Sequence, residues 1–246
     1  MKISFLLLCS LHFSMLFAQQ NKNDTIKQAY VGITSYEIPL SSIQKKSMPD
    51  ISEFQGAYHF GESEGESTLT IIISNGKLFA NESSYIWEDS NKGWQLQNER
   101  ITLNYKNGQL ETDDSIYDLY VCINEETLEL KPGEKGLVSE FFEKENGRVY
   151  HYYQFNAGVP VKNSGKYPET SLVKLTIKDL NNYSKKELKI MRNEIFARNG
   201  YQFIKGSKMD DYFSKQEWYK ENANNQVLLS LIEEYNIDLI KLKENE

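Results

Sequence analysis

The chain reads as an α+β protein of two domains. An N-terminal all-β antiparallel meander, a small barrel or a sandwich, is followed by a C-terminal three-helix module. Three observations predict this. Residues 51–156 alternate short β-branched and aromatic runs with glycine and asparagine turns, and show no helical period. Residues 171–246 switch to apolar spacings of three and four. Between them, residues 157–170 hold two glycines, two prolines, Asn163 and Ser164, the composition of a linker.

The first eighteen residues read as a secretory signal. Lys2 gives the positive start, residues 3–17 are almost wholly apolar, and Ala18 precedes Gln19 and Gln20, so cleavage is expected after Ala18. A spanning helix needs about twenty apolar residues, and no run reaches that, so no membrane span is expected. Cys9 follows Leu8 rather than a small residue, which disfavours a lipid anchor. The expected location is secreted or periplasmic. Residues 19–50 read as extended or linker, with a β-like patch at 30–38 that lends one strand.

Strands are expected at 56–60, 67–74, 77–80, 84–87, 93–96, 100–105, 109–112, 117–123, 127–130, 138–142 and 148–155. Asn75-Gly76 and Asn107-Gly108 are hairpin signals, because both central positions of a two-residue turn need positive φ. Gly133 and Asn146-Gly147 mark further turns. The alternation at Arg100-Ile101-Thr102-Leu103-Asn104 places one face in a core and one in water. A barrel is preferred to a sandwich because it leaves no exposed edge.

In residues 171–246, Ser184-Lys185-Lys186-Glu187 spells a capping box, and Leu188, Met191 and Ile195 form the stripe behind it. Asn199-Gly200 ends that helix. Ser207 caps a second, short helix through Tyr212-Phe213. Asn225 is expected to open a third, carrying Leu228, Leu231, Ile232, Tyr235, Leu239 and Leu242.

Composition narrows function. The chain has 28 basic and 35 acidic residues, net −7. Residues 51–156 hold 19 acids against 8 bases, net −11, whereas residues 171–246 hold 12 against 13. No basic excess exists to displace counterions from phosphates, so no nucleic acid is expected as partner. Without the signal only Cys122 remains, so no internal disulfide forms. Its run, Leu119-Tyr120-Val121-Cys122-Ile123, predicts a buried apolar cysteine.

No catalytic constellation emerges. Gly61-Glu62-Ser63-Glu64-Gly65 spells a nucleophile elbow, but a strand-like run follows where the elbow needs a helix. His59 and His151 sit in strand-like runs among aromatics. No metal-ligand spacing exists, and neither a metal nor a cofactor is expected. Asp113-Asp114 and Glu125-Glu126 read as solvated charges of an acidic surface. The helical module offers the binding candidates. Glu194 and Arg198 stand four apart on one helix face, Arg192 lies on a neighbouring face, and Trp218-Tyr219 follows a short helix. Arginine stacks on tryptophan and still donates hydrogen bonds, so the set suits recognition; the same residues also suit stitching a bundle together. The 16 tyrosines suit sugar- or peptide-binding strand faces, and equally suit sheets as such.

The last third resembles the YARHG domain. The residues that carry the likeness are Arg192-Asn193-Glu194-Ile195-Phe196-Ala197-Arg198-Asn199-Gly200, Tyr212-Phe213, Trp218-Tyr219 and Asn236-Ile237-Asp238-Leu239-Ile240-Lys241. Phe196 stands where the family has tyrosine, and Asn199 where it has histidine. The resemblance implies a bacterial, extracytoplasmic accessory domain attached to varied partners, and implies no activity. The expectation is an exported, non-catalytic binding or interaction protein of the bacterial envelope. Its partner would be an envelope glycan, peptide or protein, and its oligomeric state is open. The alternatives are an extracytoplasmic hydrolase with a site in the β domain, and a structural envelope protein.

Overall fold

The computed structural model describes residues 25–29, 35–61, 65–89, 93–124, 130–145, 148–161 and 164–246. The expected signal at 1–18, Ser63, Glu125-Glu126, most of the strand expected at 127–130 and the Asn146-Gly147 turn lie outside them.

Twelve strands lie among the described residues: β1 (Thr25–Ala29), β2 (Ser35–Pro39), β3 (Ile43–Lys45), β4 (Gly56–Phe60), β5 (Ser67–Ser74), β6 (Lys77–Glu88), β7 (Gly93–Ile101), β8 (Asn104–Lys106), β9 (Gln109–Glu111), β10 (Ile116–Cys122), β11 (Lys135–Glu145) and β12 (Arg148–Val159). Asn75 and Gly76 adopt φ of 50° and 73° and turn β5 into β6. Asn107 and Gly108, at 53° and 80°, turn β8 into β9. Gly108 is also required by space, since a Cβ there would meet the Ser47 carbonyl oxygen at 1.7 Å.

The strands follow the path β7-β6-β5-β4-β12-β11-β10-β9-β8. The ends of this path, β7 and β8, are consecutive in the chain, with Thr102 and Leu103 between them. So short a link reaches only about 11 Å, so the sheet curls into a half-barrel that brings its far ends together. Its concave face packs Phe54, Tyr58, Leu69, Ile71, Leu110, Leu119 and Leu137. The pairs along the path are antiparallel, whereas β1 joins β12 in parallel. β4 meets β12 only at Gly158 and Val159, and β1 takes the edge that this leaves beside residues 153–155. Residues 19–50 were expected to lend one strand and lend three. The runs expected at 77–80 and 84–87 are one strand, because Asn81, Glu82 and Ser83 keep register with Arg100, Glu99 and Asn98.

Five helices lie among the described residues: α1 (Glu169–Leu172), α2 (Ile177–Leu180), α3 (Lys185–Arg198), α4 (Lys208–Phe213) and α5 (Leu231–Glu244). The Ser184–Glu187 capping box starts α3, and Gly200, at φ 76°, follows its C-cap. Ser207 caps α4 by accepting from the Asp210 amide. The third expected helix begins later than Asn225. Ser230 and Glu233 form a capping box that starts α5, and Asn225 adopts φ of 52°, a non-helical conformation. Leu228, expected in that helix, is 87% exposed in the segment before it. α1 and α2 span four residues each, too few to show a period.

The helices pack on the convex face of the sheet. One core joins Ile72 of β5 and Phe79 of β6 to Val173, Leu175, Leu180, Leu188, Met191, Ile195, Ile237 and Ile240. Residues 157–170, read as linker, finish β12 with their first three members and bury Tyr167, Pro168, Glu169 and Thr170. Asn236 is fully buried. Its amide donates to the Thr170 and Val173 carbonyls and accepts from the Leu175 amide, which fixes α5 against the α1–α2 segment. No helix among the described residues is long and apolar enough to cross a membrane.

Candidate binding site

The sequence singled out Arg192, Glu194, Arg198, Trp218 and Tyr219, and the structure distributes them over three settings. Glu194 and Arg198 form a buried ion pair on α3, 2.7 Å apart, with side chains 1% and 7% exposed. The Glu194 carboxylate also accepts the Lys166 and Tyr167 amides at 3.1 and 2.7 Å. Gly165 makes room for it, since a Cβ at that position would lie 2.4 Å from Oε1. Arg198 donates to Ser171 Oγ, to the Ser164 and Tyr167 carbonyls, and to Thr170 Oγ1. Apart from its bond to Glu194, the guanidinium thus spends its donors on α1 and the segment entering it. Burial lowers its proton affinity and the neighbouring Glu194 raises it.

Arg192 sits apart from that network. It forks onto Glu244 with contacts of 2.8 and 3.1 Å and ties α3 to the end of α5. Trp218 and Tyr219 are half-buried in a third place, an aromatic cluster with Phe203 and Phe213. Tyr219 Oη donates to the Tyr201 carbonyl at 2.7 Å. Burial, with Glu221 beside it, pushes that phenol up to about 12. The five residues therefore do not line one groove: the first pair is buried, and the other three join elements of the helical segment.

In the sheet, His59 meets Thr68 Oγ1 at 3.3 Å and Glu66 at 4.0 Å. His151 lies on β12, in a stretch whose side chains are outside the description. The Cys122 side chain is buried and donates to the Asn124 carbonyl. No group of three or more His, Cys, Asp or Glu among the described residues is arranged to hold a metal.

Among the described residues, the half-barrel presents an open cleft and an exposed apolar face. At the mouth of the concave face lies a cleft of about 420 Å³, lined by Phe60, Leu69, Glu82, Glu99, Ile101 and Tyr117 among others. Glu82 and Glu99 are register partners, so two carboxylates face each other across the strand pair. On the convex face, the β6–β7 hairpin carries large apolar side chains in water. Tyr85 is 57%, Trp87 60%, Trp94 45% and Leu96 41% exposed. Register puts Trp87 opposite Trp94 and Tyr85 opposite Leu96. Side chains two apart share a face, so all four lie together. The tryptophan rings meet edge-on, 5.6 Å apart at 73°. This set was missed among the sequence candidates. Its signal was the placing of Tyr85, Trp87, Trp94 and Leu96 at equal distances either side of the Glu88 and Gly93 register pair.

Residues 166–245 match the YARHG domain model, the family that the residues of the last third already resembled. No curated protein and no solved structure matched the chain.

Proposed function

We propose that this is an exported, non-catalytic binding protein of the bacterial envelope, with its ligand surface on the half-barrel and the YARHG-matching segment as the structural partner of that sheet. One observation carries the reading: Tyr85, Trp87, Trp94 and Leu96 stand together in water on a regular strand pair. Contiguous exposed apolar side chains of this size mark interaction sites. The match of residues 166–245 to the YARHG domain fits a binding role outside the cytoplasm. The buried Glu194–Arg198 pair is satisfied within the fold, which favours a scaffolding role for it over ligand contact.

The test is co-sedimentation of the purified protein with isolated bacterial cell envelopes. The protein should pellet with them, and Trp87→Ala with Trp94→Ala should leave it in the supernatant. Equal pelleting of that double variant, or no pelleting of the parent protein, overturns the reading.

A second reading, an extracytoplasmic hydrolase, is favoured by the opposed Glu82 and Glu99 in the concave cleft, since glycoside hydrolysis uses two carboxylates. Turnover of a polysaccharide that is lost in Glu82→Gln and in Glu99→Gln would establish it.

A further inference from the structure

We infer that the convex face of the β6–β7 hairpin is a platform for a neutral glycan chain. The inference rests on the binding reading above and adds the ligand's chemical class and the residues that receive it.

The face is built in rungs. Trp87 pairs with Trp94, Tyr85 with Leu96, and Ser83 with Asn98. Successive rungs on one face are about 6.6 Å apart, so the three extend over roughly 13 Å. The first two rungs are aromatic and apolar. The third is hydroxyl and amide, with Ser83 Oγ donating to Asn98 Oδ1 at 2.7 Å. Beyond it, the Asn81 side chain is covered and accepts the Lys174 amide, so the helical segment walls off that end. Arg100, opposite Asn81, is 3.7 Å from Asp179.

Those six residues fit a sugar chain for physical reasons. A pyranose ring has an apolar C–H face and a rim of hydroxyls. The C–H face packs on an aromatic ring, while the hydroxyls need neutral donors and acceptors alongside. The edge-on tryptophans make a corner, which receives one sugar ring by its face and its edge. Ser83 and Asn98 then stand where the next ring's hydroxyls would reach.

Charge selects against the other occupants. None of the six residues is an Asp, Glu, Lys, Arg or His, in a chain of which 26% is charged. Asp89, just beyond Trp87 and outside the three rungs, accepts the Trp87 indole N–H at 3.0 Å. The strongly acidic region around the platform, 19 acids against 8 bases over residues 51–156, repels anionic chains. Lipid insertion would drag Glu88 and Asp89 into hydrocarbon with the tryptophans, at high cost.

Trp87 and Trp94 are two of the three tryptophans of the chain, so indole emission reports on the platform directly. The purified protein is titrated with a soluble β-1,4-linked N-acetylglucosamine oligosaccharide. A saturable emission change is expected, weakened several-fold by Asn98→Ala and roughly tenfold by Trp87→Ala or Trp94→Ala, the two tryptophan variants keeping their thermal midpoints. Because Trp87 and Trp94 are exposed, the midpoint separates lost binding from lost folding at those two positions. No saturable change overturns the inference. So does concentration-dependent self-association abolished by Trp94→Ala in place of sugar binding, which would make the face a contact between two copies. Envelope co-sedimentation that persists after the glycan is enzymatically digested removes this inference and leaves the binding reading standing.

Discussion

Glu169 and Glu194 are both 1% exposed, and their surroundings treat them oppositely. Glu194 has Arg198 and two backbone amides. Neither oxygen of Glu169 has a donor at bonding distance, although Ser74 lies beside it. Desolvation therefore raises the Glu169 carboxyl above its ordinary value of 4.5. The folded protein holds that proton to higher pH than the unfolded chain does. Its contribution to stability is therefore fully present below about 4.5 and is lost as pH rises through the folded value. Glu169→Gln removes the charge and should stabilise the protein at pH 7 by about 1–3 kcal/mol. The gain should shrink towards pH 4, where the native carboxyl is protonated as well. Urea midpoints at the two pH values check this, and a gain independent of pH would refute the assignment. The spacing of four to Arg198 marked Glu194 in the sequence, whereas nothing there marked Glu169 as buried. The rest of their difference comes from distant residues: the Lys166 and Tyr167 amides complete the setting of Glu194, and nothing comparable reaches the Glu169 oxygens.

At the scale of elements, local rules carried far. Both Asn-Gly hairpins, the Ser184 capping box and the Ser207 cap formed where their residues placed them, because each needs only neighbours within three or four positions. The start of α5 was misplaced because its apolar spacing extends back through Leu228, whereas the Ser230–Glu233 box decides it. Ser230 accepts from the Glu233 amide, and the Glu233 carboxylate accepts from the Ser230 amide and from Ser171. Ser230→Ala should destabilise the protein by about 1 kcal/mol, and Ser230→Asp should restore most of it. Chemical denaturation midpoints of the three proteins test that order. The continuity of β6 was illegible for the opposite reason. Asn81 is a poor strand residue alone, and here its side chain is held by the Lys174 amide, which lies 93 positions away. The exposed tryptophan pair followed from hairpin arithmetic once the strand ran unbroken.

At the scale of the whole molecule, sheet and helices share a boundary that the separation into a β part and a helical part did not anticipate. Phe79 is 2% exposed and lies within the core that α3 and α5 complete. Arg100 covers its ring at 4.9 Å and reaches towards Asp179 on α2. Lys77 lies over the Tyr183 ring, and Asn75 donates to the Lys166 carbonyl, so the hairpin that ends β5 also touches the helical segment. Contacts of this kind make the helices' stability depend on a sheet side chain. Phe79→Ala deletes a buried aromatic and should cost about 3–5 kcal/mol. The cost should appear on both sides of the boundary. Amides of α3 and α5 should lose hydrogen-exchange protection together with those of β5 and β6, in one cooperative unit. If only the strand amides lose protection and the helices keep theirs, the shared core does not couple the two parts. Envelope attachment through the hairpin would then act on the sheet alone. If protection falls across both, a ligand held on the β6–β7 face stabilises the YARHG-matching helices as well, through the same strand that carries Phe79 at one end and Trp87 at the other.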